Sequence, residues 1–162
     1  MRFQVLIRFA TINLLLLLLV MVLPAQGTAG PSFQCEPTPE DEMGPFYRPD
    51  AAVRNSVGTG YLLLGVVKSA QDCSLIATAR IELWMTGPEG HYGEKWRAMI
   101  FSAENGSYHF QSHAATDYGR RRPHIHIRVT ADGFKPLVTQ HYPVKDAGED
   151  LFNLVLTPSS QP

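Results

Sequence analysis

The segment DYGRRRPHIHIRV (residues 117–129) contains two histidines, His124 and His126, separated by a single isoleucine. In a β-strand, residues i and i+2 project from the same face, about 6.6 Å apart along the strand. Both imidazoles could therefore bind one metal ion, with Ile125 and Ile127 facing the opposite way into a core. On its own, this spacing is equally consistent with two histidines on a surface strand.

Two tyrosines could complete a metal site. Tyr118 lies six residues before His124, and Tyr92 follows the β-rich run that ends at Trp84. A phenolate is a hard oxygen ligand, so two tyrosinates with two imidazoles favour a hard trivalent ion such as Fe(III) over Zn(II). Two phenolates and one hydroxide also balance the charge of that ion, which lowers the cost of burying the site. Because a free tyrosine titrates at about pH 10, only a strongly charged ion would hold both tyrosines deprotonated.

The elements that would position these residues are short strands. Runs rich in β-forming residues recur about every ten residues with turn residues between them, and Asn105-Gly106 is a strong hairpin signal. The pattern predicts an all-β fold, an antiparallel β-sandwich of about seven or eight strands. The predicted strands are 61–67, 79–84, 97–102, 107–110, 124–131, 137–142 and 151–156.

Residues 1–29 predict a secretory signal peptide. A basic start with Arg2 and Arg8 precedes an uncharged apolar run over residues 9–23 and then small residues suited to cleavage. The run is short for a membrane span, so we expect a secreted or periplasmic protein without stable membrane insertion after cleavage; an uncleaved membrane anchor is the alternative. Residues 30–162 carry 12 Lys and Arg against 15 Asp and Glu, a net charge of −3. They lack the basic excess that nucleic-acid binding requires.

Residues 30–55 are rich in proline, glycine and acidic residues and follow neither a strand nor a helix period. They predict an extended N-terminal arm laid over a catalytic β-sandwich of residues 56–158, the two forming a single domain. The arm would be anchored by aromatic residues such as Phe46, and its acidic run 40–42 would be exposed to solvent. Cys35 and Cys73 are the only cysteines in the sequence, and in an oxidising compartment such a pair predicts a disulfide.

Motifs at three places in the chain occur in a distinctive order. The run IELW (residues 81–84) is followed by Tyr92, eight positions after its tryptophan. Next come Tyr118 with the pattern Arg-x-x-His-Ile-His, and then the run TQHY (residues 139–142). Together they resemble the intradiol ring-cleavage dioxygenase family, which includes catechol 1,2-dioxygenases and protocatechuate 3,4-dioxygenases. The similarity extends from residue 38 to residue 143.

The resemblance implies a compact secreted enzyme that uses non-haem Fe(III) and O₂, with no other cofactor. Its substrate would be a catechol-type aromatic diol, cleaved between the two hydroxylated carbons to a muconate-type dicarboxylic acid. Arg121 and Gln140 would be catalytic, flanking the ring and stabilising its negative charge. Tyr118 would also be catalytic, because it would leave the ion and accept a substrate proton. The implied iron ligands are Tyr92, Tyr118, His124 and His126.

Three points stay open at this level. Arg122 is an alternative to Arg121 as the catalytic arginine, because the two belong to one run of three arginines. Tyr47, in the family-like segment 44–47, is a candidate substrate contact, although packing on the sheet would explain it equally well. The oligomeric state is not fixed, a homodimer being one option.

Two other protein classes compete with this interpretation. A periplasmic copper–zinc superoxide dismutase also combines a β-sandwich, a disulfide and a His-x-His pattern. It would need further histidine ligands and an aspartate, and it leaves Tyr92 and Tyr118 without a role. A transthyretin-like or carboxypeptidase-regulatory-like interaction module would account for the core pattern without any catalysis.

Overall fold

The computed structural model describes residues 32–160. The signal peptide predicted for residues 1–29 lies outside the described residues and stays a prediction. Over residues 32–160, no helix is long and apolar enough to cross a membrane.

The fold is all-β, as the sequence predicts, and its eight strands form two sheets. The strands are β1 (Tyr61–Ser69), β2 (Arg80–Thr86), β3 (Tyr92–Phe101), β4 (Ser107–Ser112), β5 (Ile125–Thr130), β6 (Leu137–His141), β7 (Glu149–Leu151) and β8 (Leu154–Leu156). One sheet has the order β4-β1-β7, and β8 also pairs with β1; the other has the order β3-β2-β5-β6.

The hydrophobic core lies between the two sheets. Along β1, buried and partly exposed residues alternate, as expected for a strand with one face on a core. From the other sheet, Ile125, Ile127 and Val129 of β5 belong to the same core cluster as Leu63 and Phe110. The alternate residues of β5 therefore lie on the outer face of the β3-β2-β5-β6 sheet.

The last predicted strand, residues 151–156, is wrong as a single element. It is split into β7 and β8, which pair with opposite ends of β1. Between them the chain presses its backbone onto Gly65, where any Cβ would clash with the carbonyl oxygen of Phe152. At this point the Val66 N–H bonds to a side chain instead of a strand backbone: it donates to Oδ1 of Asn153 at 3.1 Å.

Two strand boundaries near the predicted metal site also differ from the sequence prediction. β3 begins at Tyr92 instead of residue 97, because its pairing with β2 continues past an irregularity after Trp84 to the pair Thr86 and Tyr92. β5 begins at Ile125, so His124 directly precedes the strand.

Residues 32–57 run over the sandwich in an extended conformation. Backbone N–H groups of Cys35, Thr38 and Asp41 donate to carbonyls of the sandwich at 3.0, 3.1 and 2.9 Å. Farther along, Met99 donates to the carbonyl of Ala52 at 3.0 Å, and Gln111 to that of Asn55 at 2.8 Å. The bonds of Met99 and Gln111 satisfy backbone groups on the edge strands β3 and β4, which would otherwise be open to pairing with other chains.

The structure contains the expected disulfide between Cys35 and Cys73, which are separated by 38 residues. It ties the start of the described arm to the turn that follows β1. Closing a loop of this length lowers the entropy of the unfolded chain, which stabilises the folded state by about 4 kcal/mol. This is an upper figure, because strain in the folded state is not subtracted.

Replacing both cysteines, Cys35→Ser with Cys73→Ser, should lower the free energy of unfolding by about 2–4 kcal/mol, because the unfolded chain gains conformational freedom. Urea unfolding followed by fluorescence measures this. Oxidised and reduced wild-type protein should show the same difference. An unfolding free energy equal to that of wild type would contradict the stabilising role of the cross-link.

Candidate metal centre and active site

Three side-chain atoms that can bind a metal converge on one point. Tyr92 Oη lies 3.1 Å from His124 Nε2 and 3.1 Å from His126 Nε2, and the two nitrogens are 3.2 Å apart. Donors this close together could all bind one metal ion, which Tyr92, His124 and His126 would then hold in common. The three donors thus fit one face of a metal coordination sphere.

The hydrogen bonding of His124 leaves the correct nitrogen free for a metal. Its Nδ1 lies 2.8 Å from the carbonyl oxygen of Arg122. A carbonyl only accepts, so Nδ1 carries the proton and Nε2 keeps its lone pair. A backbone carbonyl in this position is the usual partner that orients a ligating histidine.

His126 is held by contacts with Trp84 and with the arm. Its ring stacks on the Trp84 indole, with centroids 4.9 Å apart and an interplanar angle of 2°. Gly44 of the arm packs against the histidine, where a Cβ would lie 3.1 Å from Cε1. Gly44 also has a φ of +68°, so both its space and its backbone favour glycine at this position.

The pKa values of the protein side chains suit a hard, highly charged ion. Burial, and then the neighbouring His124 and Arg121, lower the pKa of His126 to about 4. Burial also lowers the pKa of His124, so both imidazoles are neutral at pH 7 and available as ligands. Burial raises the pKa of Tyr92 to about 12, against an opposing effect of Arg121. Only an ion that strongly favours phenolate would displace this proton.

Strand register explains why these residues share one face. Across the sheet, Trp84 pairs with His126 and His126 pairs with Gln140. Directly paired residues of antiparallel strands project from the same side. Tyr92, at the start of β3, joins them opposite Thr86, just after the irregularity in β2.

Tyr118 lies at the edge of the site. Its ring meets Tyr92 and Phe46 edge-on, with centroids 5.2 and 5.4 Å away. Its hydroxyl forms no hydrogen bond with the three convergent donors, and 37% of the residue is exposed. A tight turn holds its backbone, in which Tyr118 and Arg121 exchange N–H···O bonds of 3.1 and 3.0 Å. Its role as fourth ligand stays a prediction.

Arg121 contacts the second predicted catalytic residue. Its Nη2 donates to Oε1 of Gln140 at 2.7 Å. The neighbouring Arg122 is occupied differently, because its guanidinium lies over the Tyr142 ring, 4.7 Å from the centroid. The structure thus joins Arg121, and not Arg122, to Gln140.

Tyr47 is linked to the convergent donors through Trp84, whose ring contacts both Tyr47 and His126. It packs on Trp84 with centroids 5.3 Å apart, and its hydroxyl donates to the buried carboxylate of Glu82 at 3.2 Å. Arg80 and Arg128 form salt bridges with the same carboxylate. Packing on the sheet therefore accounts for Tyr47, and its contact with a substrate stays a prediction.

Sequence reasoning missed three residues that border the site. Phe46, expected only as an anchor of the arm, stacks on Tyr92 with centroids 4.2 Å apart. Asp41 belongs to the acidic run expected to be solvated, but its carboxylate accepts from Tyr142 Oη at 3.0 Å. Phe46 and Tyr142 belong to the segments 44–47 and 139–142 that carry the resemblance, but neither was given a role there, and no motif marks Asp41.

The alternative ligand set is not found in the described part of the chain. Over residues 32–160, no three His, Cys, Asp or Glu side chains are arranged to hold a metal ion. A histidine-and-aspartate centre of the superoxide dismutase kind would need such a group. The candidate centre described above instead depends on a tyrosine.

Comparison with known proteins extends the resemblance. No protein-family model matches the chain. The chlorocatechol 1,2-dioxygenase of Rhodococcus opacus is 30% identical over 65% of this chain and 46% of its own length. That of Pseudomonas putida is 26% identical over 62% of this chain and 51% of its own length. The chain thus spans about half the length of the curated relatives it matches.

Solved structures share the fold. The dioxygenase domain of a dioxygenase–carbohydrate-binding protein fusion from Streptomyces sp. SirexAA-E matches with a TM-score of 0.70 and 25% identity, covering 76% of this chain and 100% of that one. An intradiol ring-cleavage dioxygenase from Tetranychus urticae matches with a TM-score of 0.70 and 17% identity, covering 79% and 98%. Hydroxyquinol 1,2-dioxygenase from Pseudomonas putida DLL-E4 gives a TM-score of 0.69 and 17% identity, covering 78% and 68%. The chain is thus similar in sequence to chlorocatechol 1,2-dioxygenases and in fold to intradiol ring-cleavage dioxygenases.

Proposed function

We propose that this protein is an Fe(III)-dependent intradiol dioxygenase. It would cleave a catechol-type ring between its two hydroxylated carbons with O₂ and release a muconate-type dicarboxylic acid. The observation that carries the proposal is the convergence of Tyr92 Oη, His124 Nε2 and His126 Nε2 within 3.1–3.2 Å of one another. Similarity to chlorocatechol 1,2-dioxygenases supports a ring-cleaving reaction, and the tyrosine and histidine donors favour iron as the occupant.

The residues that would hold the iron are Tyr92, Tyr118, His124 and His126. When bound, non-haem Fe(III) withdraws electron density from a catecholate and makes its ring carbons reactive towards O₂. The donor chemistry supports this ion, since two phenolates and two neutral imidazoles form a hard ligand set.

The two tyrosines are suited to different tasks. Tyr92 is clamped between Phe46 and the histidines, so it would remain a permanent ligand. Tyr118 is partly exposed and lacks such a clamp. Its Oη would take up the proton of a substrate hydroxyl and so act as the base for substrate binding.

Arg121 supplies positive charge beside the donors. Arg121 exchanges backbone hydrogen bonds with Tyr118, whose ring lies 5.2 Å from that of Tyr92. A guanidinium held by Gln140 needs no reorganisation when negative charge develops on the ring, so it stabilises the transition state. Phe46 stacks on Tyr92 and Trp84 stacks on His126, so each would help to hold a ligand in place.

We also propose that the protein works outside the cytoplasm, as the signal peptide expected from residues 1–29 implies. The Cys35–Cys73 disulfide supports this, because disulfides persist mainly in oxidising compartments. A small aromatic diol and O₂ would be its substrates.

Iron loading tests the metal centre. Wild-type protein should bind about one iron per chain, and His124→Ala or His126→Ala should reduce this severalfold, because each removes a ligand. Elemental analysis after gel filtration gives the ratio. His109→Ala is a matched control, since His109 is an exposed histidine bonded to Asn55 on the opposite sheet. Equal iron in all four proteins would contradict the assignment.

Substitution of the arginines tests the catalytic assignment. Arg121→Ala should lower kcat for catechol oxidation about 100-fold while iron content stays unchanged, because only transition-state charge stabilisation is lost. Oxygen uptake measures the rate, and mass spectrometry after reaction with ¹⁸O₂ should find both oxygen atoms in the diacid. Arg120→Ala, at an exposed position of the same run, serves as the control. A larger loss in Arg122→Ala than in Arg121→Ala would move the assignment to Arg122.

A further inference from the structure

Two residues without any assigned role connect the arm to the Arg121–Gln140 pair. Tyr142 Oη lies 3.2 Å from Nη2 of Arg121, 3.1 Å from Oε1 of Gln140 and 3.0 Å from Oδ2 of Asp41. The amide nitrogen of Gln140 donates to the backbone carbonyl of Glu42 at 2.6 Å and lies 3.4 Å from Oδ1 of Asp41. A hydrogen-bonded chain thus runs from the arm to the arginine beside the metal donors.

The donors and acceptors in this chain have one consistent arrangement. Arginine only donates, so Tyr142 Oη and Gln140 Oε1 both accept from Arg121. The single hydroxyl proton of Tyr142 then goes to Asp41, because a carboxylate is a stronger acceptor than an amide. Partial burial, and then the hydrogen bond to Asp41, raise the pKa of Tyr142, so this proton is retained.

The same arrangement fixes the amide of Gln140. Because its nitrogen is taken by Glu42 and Asp41, its oxygen must face Arg121. A reversed amide would set two N–H donors against the guanidinium. The arm therefore decides which group of Gln140 the arginine meets.

The side chain of Arg121 needs such support, because the turn with Tyr118 holds only its backbone. It lies in the connection before β5, outside any strand, and a long, flexible arginine side chain loses rotamer entropy when it is held in one conformation. Tyr142 directly follows β6 and is held on its ring face by Arg122, 4.7 Å from the centroid. Asp41 is attached to β6 by its backbone N–H, which donates to Val138 at 2.9 Å. Rigid elements thus anchor both contacts.

We propose that Tyr142 and Asp41 are positioning residues, which hold the guanidinium of Arg121 and the amide of Gln140 in the orientation needed to stabilise charge on the substrate ring. This rests on the proposed function. The arm would then contribute to catalysis by orienting Arg121 and Gln140, in addition to covering the site.

Conservative variants test the proposal by kinetics. Tyr142→Phe and Asp41→Asn should each lower kcat about tenfold or more, with KM changed less than threefold and iron content unchanged, because misplacement of Arg121 affects mainly the transition state. Thr139→Val is the matched control. It removes another bond between the arm and β6, from Thr139 Oγ1 to the carbonyl of Pro39 at 2.8 Å, without touching Arg121. Loss of activity in Thr139→Val equal to that in Tyr142→Phe would overturn the proposal, since loosening of the arm would then be sufficient.

A double substitution separates action through Arg121 from an independent effect. In an Arg121→Ala background, Tyr142→Phe should cause less than a twofold further loss of kcat, because its target is already gone. A further loss as large as in the wild-type background would overturn the proposal.

A measurement without added iron keeps the proposal distinct from the proposed function. In wild-type protein, the side-chain NεH signal of Arg121, assigned by its loss in Arg121→Ala, should show an order parameter close to that of the rigid backbone. Tyr142→Phe and Asp41→Asn should lower it clearly, and Thr139→Val should not. An ordered Arg121 in both variants would overturn the positioning role. If the wild type oxidises no catechol but these order parameters change as stated, the proposed function fails and the positioning role is retained.

Discussion

The alternation of side chains along β5 is the constraint on which the site depends. Ile125, Ile127 and Val129 are fully buried between the sheets, and this fixes the register of the strand. A shift by one residue would exchange its core and outer faces, so the hydrophobic core itself holds His126 on the outer face. Pairing with β2 and β6 then places Trp84 and Gln140 beside the histidine. Core packing and site geometry are thus two consequences of one register.

The N-terminal arm covers the face of the sheet that carries the candidate site. One face of the β3-β2-β5-β6 sheet is occupied by polar and aromatic side chains, which need a cover to exclude water. Residues 41–47 supply it, with Gly44 against His126 and Phe46 against Tyr92. The disulfide at Cys35 and the backbone bonds to β6 and β8 hold this cover in register. A compact chain can in this way enclose a site that would otherwise lie open on a sheet.

Much of this arrangement can be predicted from the sequence, and the remainder has identifiable causes. The β-sandwich and the disulfide follow from local periodicity and from the number of cysteines. The convergence of His124 and His126 follows from the period of two residues in a strand. The split of residues 151–156 could not be predicted, because it depends on Gly65, a residue distant in sequence. The Asp41–Tyr142 contact likewise joins residues 101 positions apart, and an acidic run in an arm carries no signal of its partner.

The central claim is that tyrosine and histidine side chains of this chain hold Fe(III) together. Resonance Raman spectroscopy of the iron-loaded protein, excited in its visible absorption band, tests this most directly. We expect enhanced tyrosinate ring vibrations from two inequivalent tyrosines, with one set lost in Tyr118→Phe and the other retained. A loaded protein without tyrosinate vibrations, or a spectrum unchanged by Tyr118→Phe, would contradict it.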